Sequence, residues 1–145
     1  MHLSRTNAIT STVSQVLPYP PEQVWAVVTD LEAWQWRNDL RWLEHTGDQA
    51  FTEYGPNGYP THFKVTGRQP PVFWSFDLEN TNLTGCWRGA FQPVSGGTCV
   101  TFTESVTPKK AWMRLLVKPY LRRQQSRYLA DLRQALAAGS SRQEI

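Results

Sequence analysis

Cysteine is scarce, with only Cys86 and Cys99 in 145 residues, no CxxC pairing and no histidine nearby at ligand spacing. That excludes a disulfide scaffold and offers no zinc signature, so both thiols are expected to be small buried or half-buried residues. Long apolar runs are missing too. The longest, Val24 to Val28, is far short of the ~20 residues a membrane-spanning helix needs, and an integral membrane protein is not expected. Met1 to Thr10 hold no apolar segment of the kind a secretory signal requires, so a cytoplasmic location is the expectation. No GxSxG, HExxH, GxGxxG or phosphate-binding loop occurs, which removes the common hydrolase, metalloprotease, dinucleotide and nucleotide signatures. Neither a metal nor a cofactor is expected, and no repeat or low-complexity stretch suggests an array.

What remains is an ordinary globular composition, 40% apolar and 19% charged, at the length of one domain with one core. A single domain over residues 1–138 is expected, followed by a polar, frayed tail from 139 to 145. Charge is uneven. Residues 1–108 carry 6 Lys and Arg against 10 Asp and Glu, whereas residues 109–145 carry 9 against 2. Such asymmetry can mark a polyanion or an anionic membrane surface. The simpler reading is a solvated helix face with Arg122, Arg123 and Arg127 in water. Nucleic acid is not an expected partner; membrane-surface contact through the basic helix stays open, as does the oligomeric state.

Ile9 to Leu17 alternates and is closed by Pro18, Pro20 and Pro21, which reads as a strand and a breaker. Pro21 and Glu22 suit a helix start, with Val24, Trp25 and Val28 as its apolar stripe. Thr29 with Glu32 has the spacing of a capping box and predicts a second short helix through Leu31 and Trp34. From Leu40 onward, turn signals at Gly47-Asp48, Gly55 to Gly58, Gln69-Pro70-Pro71, Glu79 to Asn82 and Ser95 to Gly97 separate short strands. In these, Trp74, Phe76 and Leu78 share one face, Leu83, Trp87 and Phe91 another, and Val100 with Phe102 a third; Asp77 and Glu79 fall on the solvent side. An antiparallel sheet with one apolar face needs a covering layer. Leu121, Gln125, Leu129, Leu132 and Leu136 recur at helical spacing and supply it. Thr107-Pro108 suits that helix's cap and first position, and Pro119 predicts a short helix followed by a long one.

The order strand, two short helices, six strands, long helix resembles the helix-grip fold of the START-like (SRPBCC) superfamily, in its polyketide cyclase/dehydrase-like and lipid-transport-like branch. The residues that carry the resemblance are Tyr19-Pro20-Pro21-Glu22-Gln23-Val24-Trp25 leading to Thr29-Asp30-Leu31, the Trp34-Gln35-Trp36-Arg37 cluster, and Gly96 through Glu104. The resemblance implies an α+β protein in which a curved antiparallel sheet of about seven strands wraps a C-terminal helix around a hydrophobic cavity. It implies little about activity, because such folds serve carriers and enzymes alike.

Seven tryptophans are the strongest compositional signal. Large aromatics fill cores, but as a set they also make flat walls for a planar or apolar ligand. The candidate ligand-binding residues are Phe63, Trp74, Phe76, Trp87, Phe91, Phe102 and Leu121, with Trp34, Trp36 and Trp42 at the entrance. Gly85 and Gly89 are expected to leave space beside Trp87, and Gly55 to Gly58 forms a hairpin tip that could act as a lid or be a plain turn. Glu104 continues the apolar face of Val100 and Phe102. Either it enters the cavity, where desolvation would raise its pKa, or the strand has reached its rim and Glu104 is hydrated. His45 and His62 read as surface histidines. Two functions follow: binding or transport of a lipid, polyketide or aromatic metabolite, or a cyclase or dehydratase using Glu104 as acid or base in the same cavity.

Overall fold

A computed structural model describes residues 8–143, with side chains described to residue 139. Strand β1, Ile9–Leu17, ends where the prolines remove its ladder donors. Helix α1, Pro21–Thr29, begins on Pro21, with Glu22 in its first turn, and buries Val24, Trp25 and Val28. The expected second short helix does not form. Thr29 Oγ1 donates back to the Trp25 carbonyl at 2.8 Å, so it finishes α1 and cannot cap a new helix. Asp30 Oδ1 instead accepts from the Glu32 and Ala33 N–H groups at 3.1 and 3.3 Å, a local turn that leads into an irregular loop.

Six further strands follow as a meander: β2 Trp42–Gly47, β3 Ala50–Tyr54, β4 Pro60–Gln69, β5 Phe73–Glu79, β6 Leu83–Val94 and β7 Gly97–Pro108. Each turn lies where Gly, Pro or Asn marked it. β1 pairs with the free side of β7, giving one antiparallel sheet in the order β1-β7-β6-β5-β4-β3-β2. Alternation sends Trp74, Phe76, Leu78, Trp87, Phe91, Val100 and Phe102 into the core and leaves Asp77 and Glu79 exposed. Cys86 and Cys99 are free and half-buried.

The C-terminal helix starts later than its sequence suggested. Thr107 and Pro108 are still strand, facing Thr84 and Leu83. A 3-10 turn at Ala111–Met113 leads into α2, Arg114–Gln143. Pro119 lies inside α2 rather than between two helices; near the helix start and on its exposed side, it forfeits one backbone bond without a packing clash in the core. The tail expected from 139 is helical as far as Gln143, and its last two residues lie outside the described ones. Leu121, Leu132 and Leu136 are fully buried, with Val117 and Leu129 nearly so, while Arg122, Arg123 and Arg127 are exposed. Among the described residues no helix is long and apolar enough to cross a membrane.

Two buried polar residues on α2 set its position. Gln125 Nε2 donates to the Ser11 carbonyl at 2.8 Å and the Phe102 carbonyl at 3.3 Å, and its Oε1 accepts from Ser11 Oγ at 2.7 Å. Asp131 accepts from the Asn38 N–H and Nδ2, both at 2.8 Å, tying the irregular loop to the helix. Buried polar groups satisfied in this way fix one register, because any slip would leave them without partners.

Candidate functional site

On β7 the inward positions are Val100, Phe102, Glu104 and Val106. Val106 is fully buried, so Glu104 is not at the end of the strand; its side chain is half-buried and points to the hollow. Across the ladders it faces Trp87 on β6 and Ser11 on β1. Above this row the sheet and α2 stand apart around a hollow of about 140 Å³. Its floor is aromatic, from Phe51, Phe63, Trp74, Phe76, Trp87 and Phe102. One end is polar, with Arg37, Asp39, Glu53, Glu104 and Tyr128. A second hollow of about 470 Å³ shares Asp39, Glu53, Thr61, Asn80, Leu83, Tyr120 and Gln124 with the first and is walled by Gly55 to Asn57, Tyr59, Trp112, Met113 and Leu116. We take it as the mouth.

The floor is tightly built. Trp87 stacks on Phe76 with centroids 4.9 Å apart, meets Trp74 edge-on at 5.9 Å and leans on Phe102 at 5.2 Å. Phe51 stacks on Phe63 at 4.8 Å. Gly85 and Gly89 do not leave the gaps expected of them. A Cβ at Gly89 would lie 2.5 Å from the Trp87 ring, and one at Gly85 would lie 2.3 Å from the Ser105 carbonyl oxygen. The glycines admit neighbouring atoms, and the hollow lies above the rings instead.

The polar end is held by Arg37. Its Nε and Nη2 donate to Asp39 at 3.1 and 2.6 Å, and its Nη1 and Nη2 donate to Glu53 at 2.7 and 3.3 Å. The guanidinium also lies 5.1 Å from the Tyr128 ring centroid. Burial alone would lower the Arg37 pKa, but Glu53 and Asp39 outweigh it and raise it, so the charge is retained. Burial pushes Glu53 above its ordinary range, an effect that Arg37 only partly offsets. Tyr128 is likewise raised by burial. Glu104 is the exceptional group. Desolvation, with a contribution from Glu53, pushes its carboxyl up to about 7. It takes part in none of the hydrogen bonds or ion pairs found among the described residues, yet it lines the hollow. A carboxyl poised near neutrality beside an apolar chamber can exchange a proton with a bound molecule.

Of the residues singled out from sequence, Phe63, Trp74, Phe76, Trp87, Phe102 and Glu104 line the inner hollow. Phe91 and Leu121 do not; both are core, with Phe91 packed edge-on against Trp25. Trp34 and Trp42 meet edge-on away from either hollow, and Trp36 packs on Tyr128 from outside. The entrance expected of these three is formed instead by the hairpin tip and the start of α2. His45 and His62 are exposed and line neither hollow. Sequence reading missed Arg37, Asp39, Glu53, Tyr120 and Tyr128. The one available signal was Glu53, two residues after Phe51 on an alternating strand.

A curved antiparallel sheet gripping a long C-terminal helix around an aromatic hollow defines a helix-grip protein of the START-like class. The chain belongs to the polyketide cyclase/dehydrase and lipid transport family, whose model matches residues 8–137. No curated protein matches the sequence. Among solved structures it is similar to a START superfamily protein from Mycobacterium smegmatis, at 14% identity and a TM-score of 0.77 over 90% of this chain and 97% of that one. A Thermus thermophilus protein aligns at 17% identity and a TM-score of 0.75, covering 91% and 99% of the two chains. A Mesorhizobium loti protein aligns at 16% and 0.75, covering 90% and 98%. At such identities the likeness concerns the fold.

Proposed function

We propose that this protein binds and carries an apolar small molecule, of lipid, polyketide or aromatic type, in the hollow between sheet and α2. The observation that carries the reading is the aromatic floor beneath a chamber that continues into a wider mouth; concave, mostly apolar sites with a few polar groups are where small molecules bind. Membership of a family that includes lipid transport supports it. The test is titration with an apolar fluorescent dye. Saturable uptake of about one dye per chain with a change in tryptophan emission is expected. An absence of saturable uptake by the folded protein would leave the aromatics as core alone.

One observation favours a second reading, a cyclase or dehydratase acting in the same chamber. Glu104 combines a pKa of about 7 with a place in the cavity wall, which are the requirements for a general acid or base near neutral pH. In an enzyme, Glu104→Gln abolishes turnover while binding survives; in a carrier it changes affinity only.

A further inference from the structure

The polar end of the chamber discriminates by charge. Four of the five N–H groups of Arg37 are spent on Asp39 and Glu53, so this cation has little left for a ligand. Asp39 and Glu53 each place a carboxylate there, and Glu104 adds a third that has no hydrogen-bonded partner among the described residues. Among the described residues no cluster of carboxylates, histidines or cysteines is placed to hold a metal ion. Trp87 and Phe102 line the chamber beside these carboxylates.

We infer that the ligand turns toward Glu104 a proton-donating end group that carries no negative charge, a protonated amine being the strongest case and a hydroxyl a weaker one. This rests on the carrier reading and adds the chemical class to it. A carboxylate or phosphate end would face three acidic groups and one nearly saturated guanidinium in a poorly solvated site, where like charges repel strongly. An ammonium would satisfy Glu104 and favour its ionised form. The groups facing Glu104 are Arg37 and Asp39 from the loop, Glu53 from β3 and Tyr120 from α2. Because the Glu104 carboxyl titrates near 7, amine binding strengthens as pH rises from 5.5 to 8.

The experiment compares three probes sharing one naphthyl body and ending in an ethylamine, an ethanol or an acetate, titrated calorimetrically at pH 8. The amine is expected to bind at least tenfold tighter than the carboxylate, with the alcohol between. In Glu104→Gln the amine loses most of this advantage while the alcohol changes little. Acetate binding as tight as amine binding, or an amine preference untouched by Glu104→Gln, overturns the inference and leaves the cavity reading standing. If no probe binds, the cavity reading falls and this inference falls with it.

A different surface carries a second inference. Around the mouth, Leu115, Trp112 and Leu116 are 88%, 66% and 61% exposed, with Tyr120 half exposed. Between Glu104 and Asp131 the sequence has seven Lys and Arg and no acidic residue. Lys109 is paired with Glu79 and Lys118 donates to the Thr10 carbonyl, while Lys110, Arg122, Arg123 and Arg127 are exposed. Apolar side chains ringed by cations match an anionic bilayer surface. A second copy fits poorly, since a two-fold contact here would set the same basic residues against themselves. We propose that this face docks on anionic membranes, with the mouth turned to the lipid. The protein should co-sediment with vesicles of three parts phosphatidylcholine to one part phosphatidylglycerol, less so at high salt, and at least tenfold less after combined Trp112→Ala, Leu115→Ala and Leu116→Ala. No binding by the parent, equal binding by the variant, or a parent dimer that the variant abolishes would each overturn it.

Discussion

Replacing Glu104 by Gln should stabilise the protein, and by an amount that depends on pH. The folded carboxyl titrates near 7 against 4.5 for an unperturbed one, chiefly because it is desolvated. Between those values the folded state binds more protons than the unfolded state, so stability falls as pH rises from about 4.5 to about 7 and then levels off. At about 1.4 kcal/mol per pH unit the full difference is at most about 3.5 kcal/mol at pH 8, and the half-buried setting of Glu104 reduces it. Gln keeps the shape and removes the titration. Urea melts of parent and variant at pH 4, 6 and 8 measure the effect. The variant should match the parent at pH 4 and exceed it by roughly 2–3 kcal/mol at pH 8, with unchanged m-values. A variant no more stable than the parent at pH 8 would show that Glu104 is solvated and is not part of a desolvated chamber wall.

Other substitutions probe the frame. Leu132→Asp places a charge at a fully buried position on α2, which should cost several kcal/mol and abolish the cooperative thermal transition. Trp87→Ala removes the ring stacked between Phe76 and Phe102; it should cost roughly 3–5 kcal/mol in denaturant melts and enlarge the chamber toward bulkier probes. Gly89→Ala should cost about 1–3 kcal/mol by driving a methyl group into that same ring, and an effect near zero would mean that Trp87 is free to move.

The legible parts were those encoded by local periodicity. Trp74, Phe76 and Leu78 on alternate positions, and Leu121, Leu129, Leu132 and Leu136 at helical spacing, each reveal one buried face without knowledge of what covers it. Errors arose where competing local bonds decide. Thr29 had the spacing of a cap, yet its hydroxyl reaches back to Trp25, and Thr107-Pro108 would suit a helix start had the ladder with β6 not continued through it. The polar end of the site was illegible for another reason. Arg37, Glu53, Glu104 and Tyr128 come from a loop, two strands and a helix, and only the closed fold brings them together. Glu104 itself was recognisable from strand parity, whereas its burial depended on Val106 continuing the strand beyond it.

The central claim is that the hollow over Trp87 and Phe102 is a ligand chamber, and it is most directly tested by mapping where an apolar molecule settles. Side-chain NMR of protein saturated with a naphthyl probe should show the largest shift changes at Phe63, Trp74, Phe76, Trp87 and Phe102, with smaller ones at the mouth around Leu116 and Tyr120. Changes confined to Trp112, Leu115 and Leu116 while the five inner rings stay fixed would contradict the account.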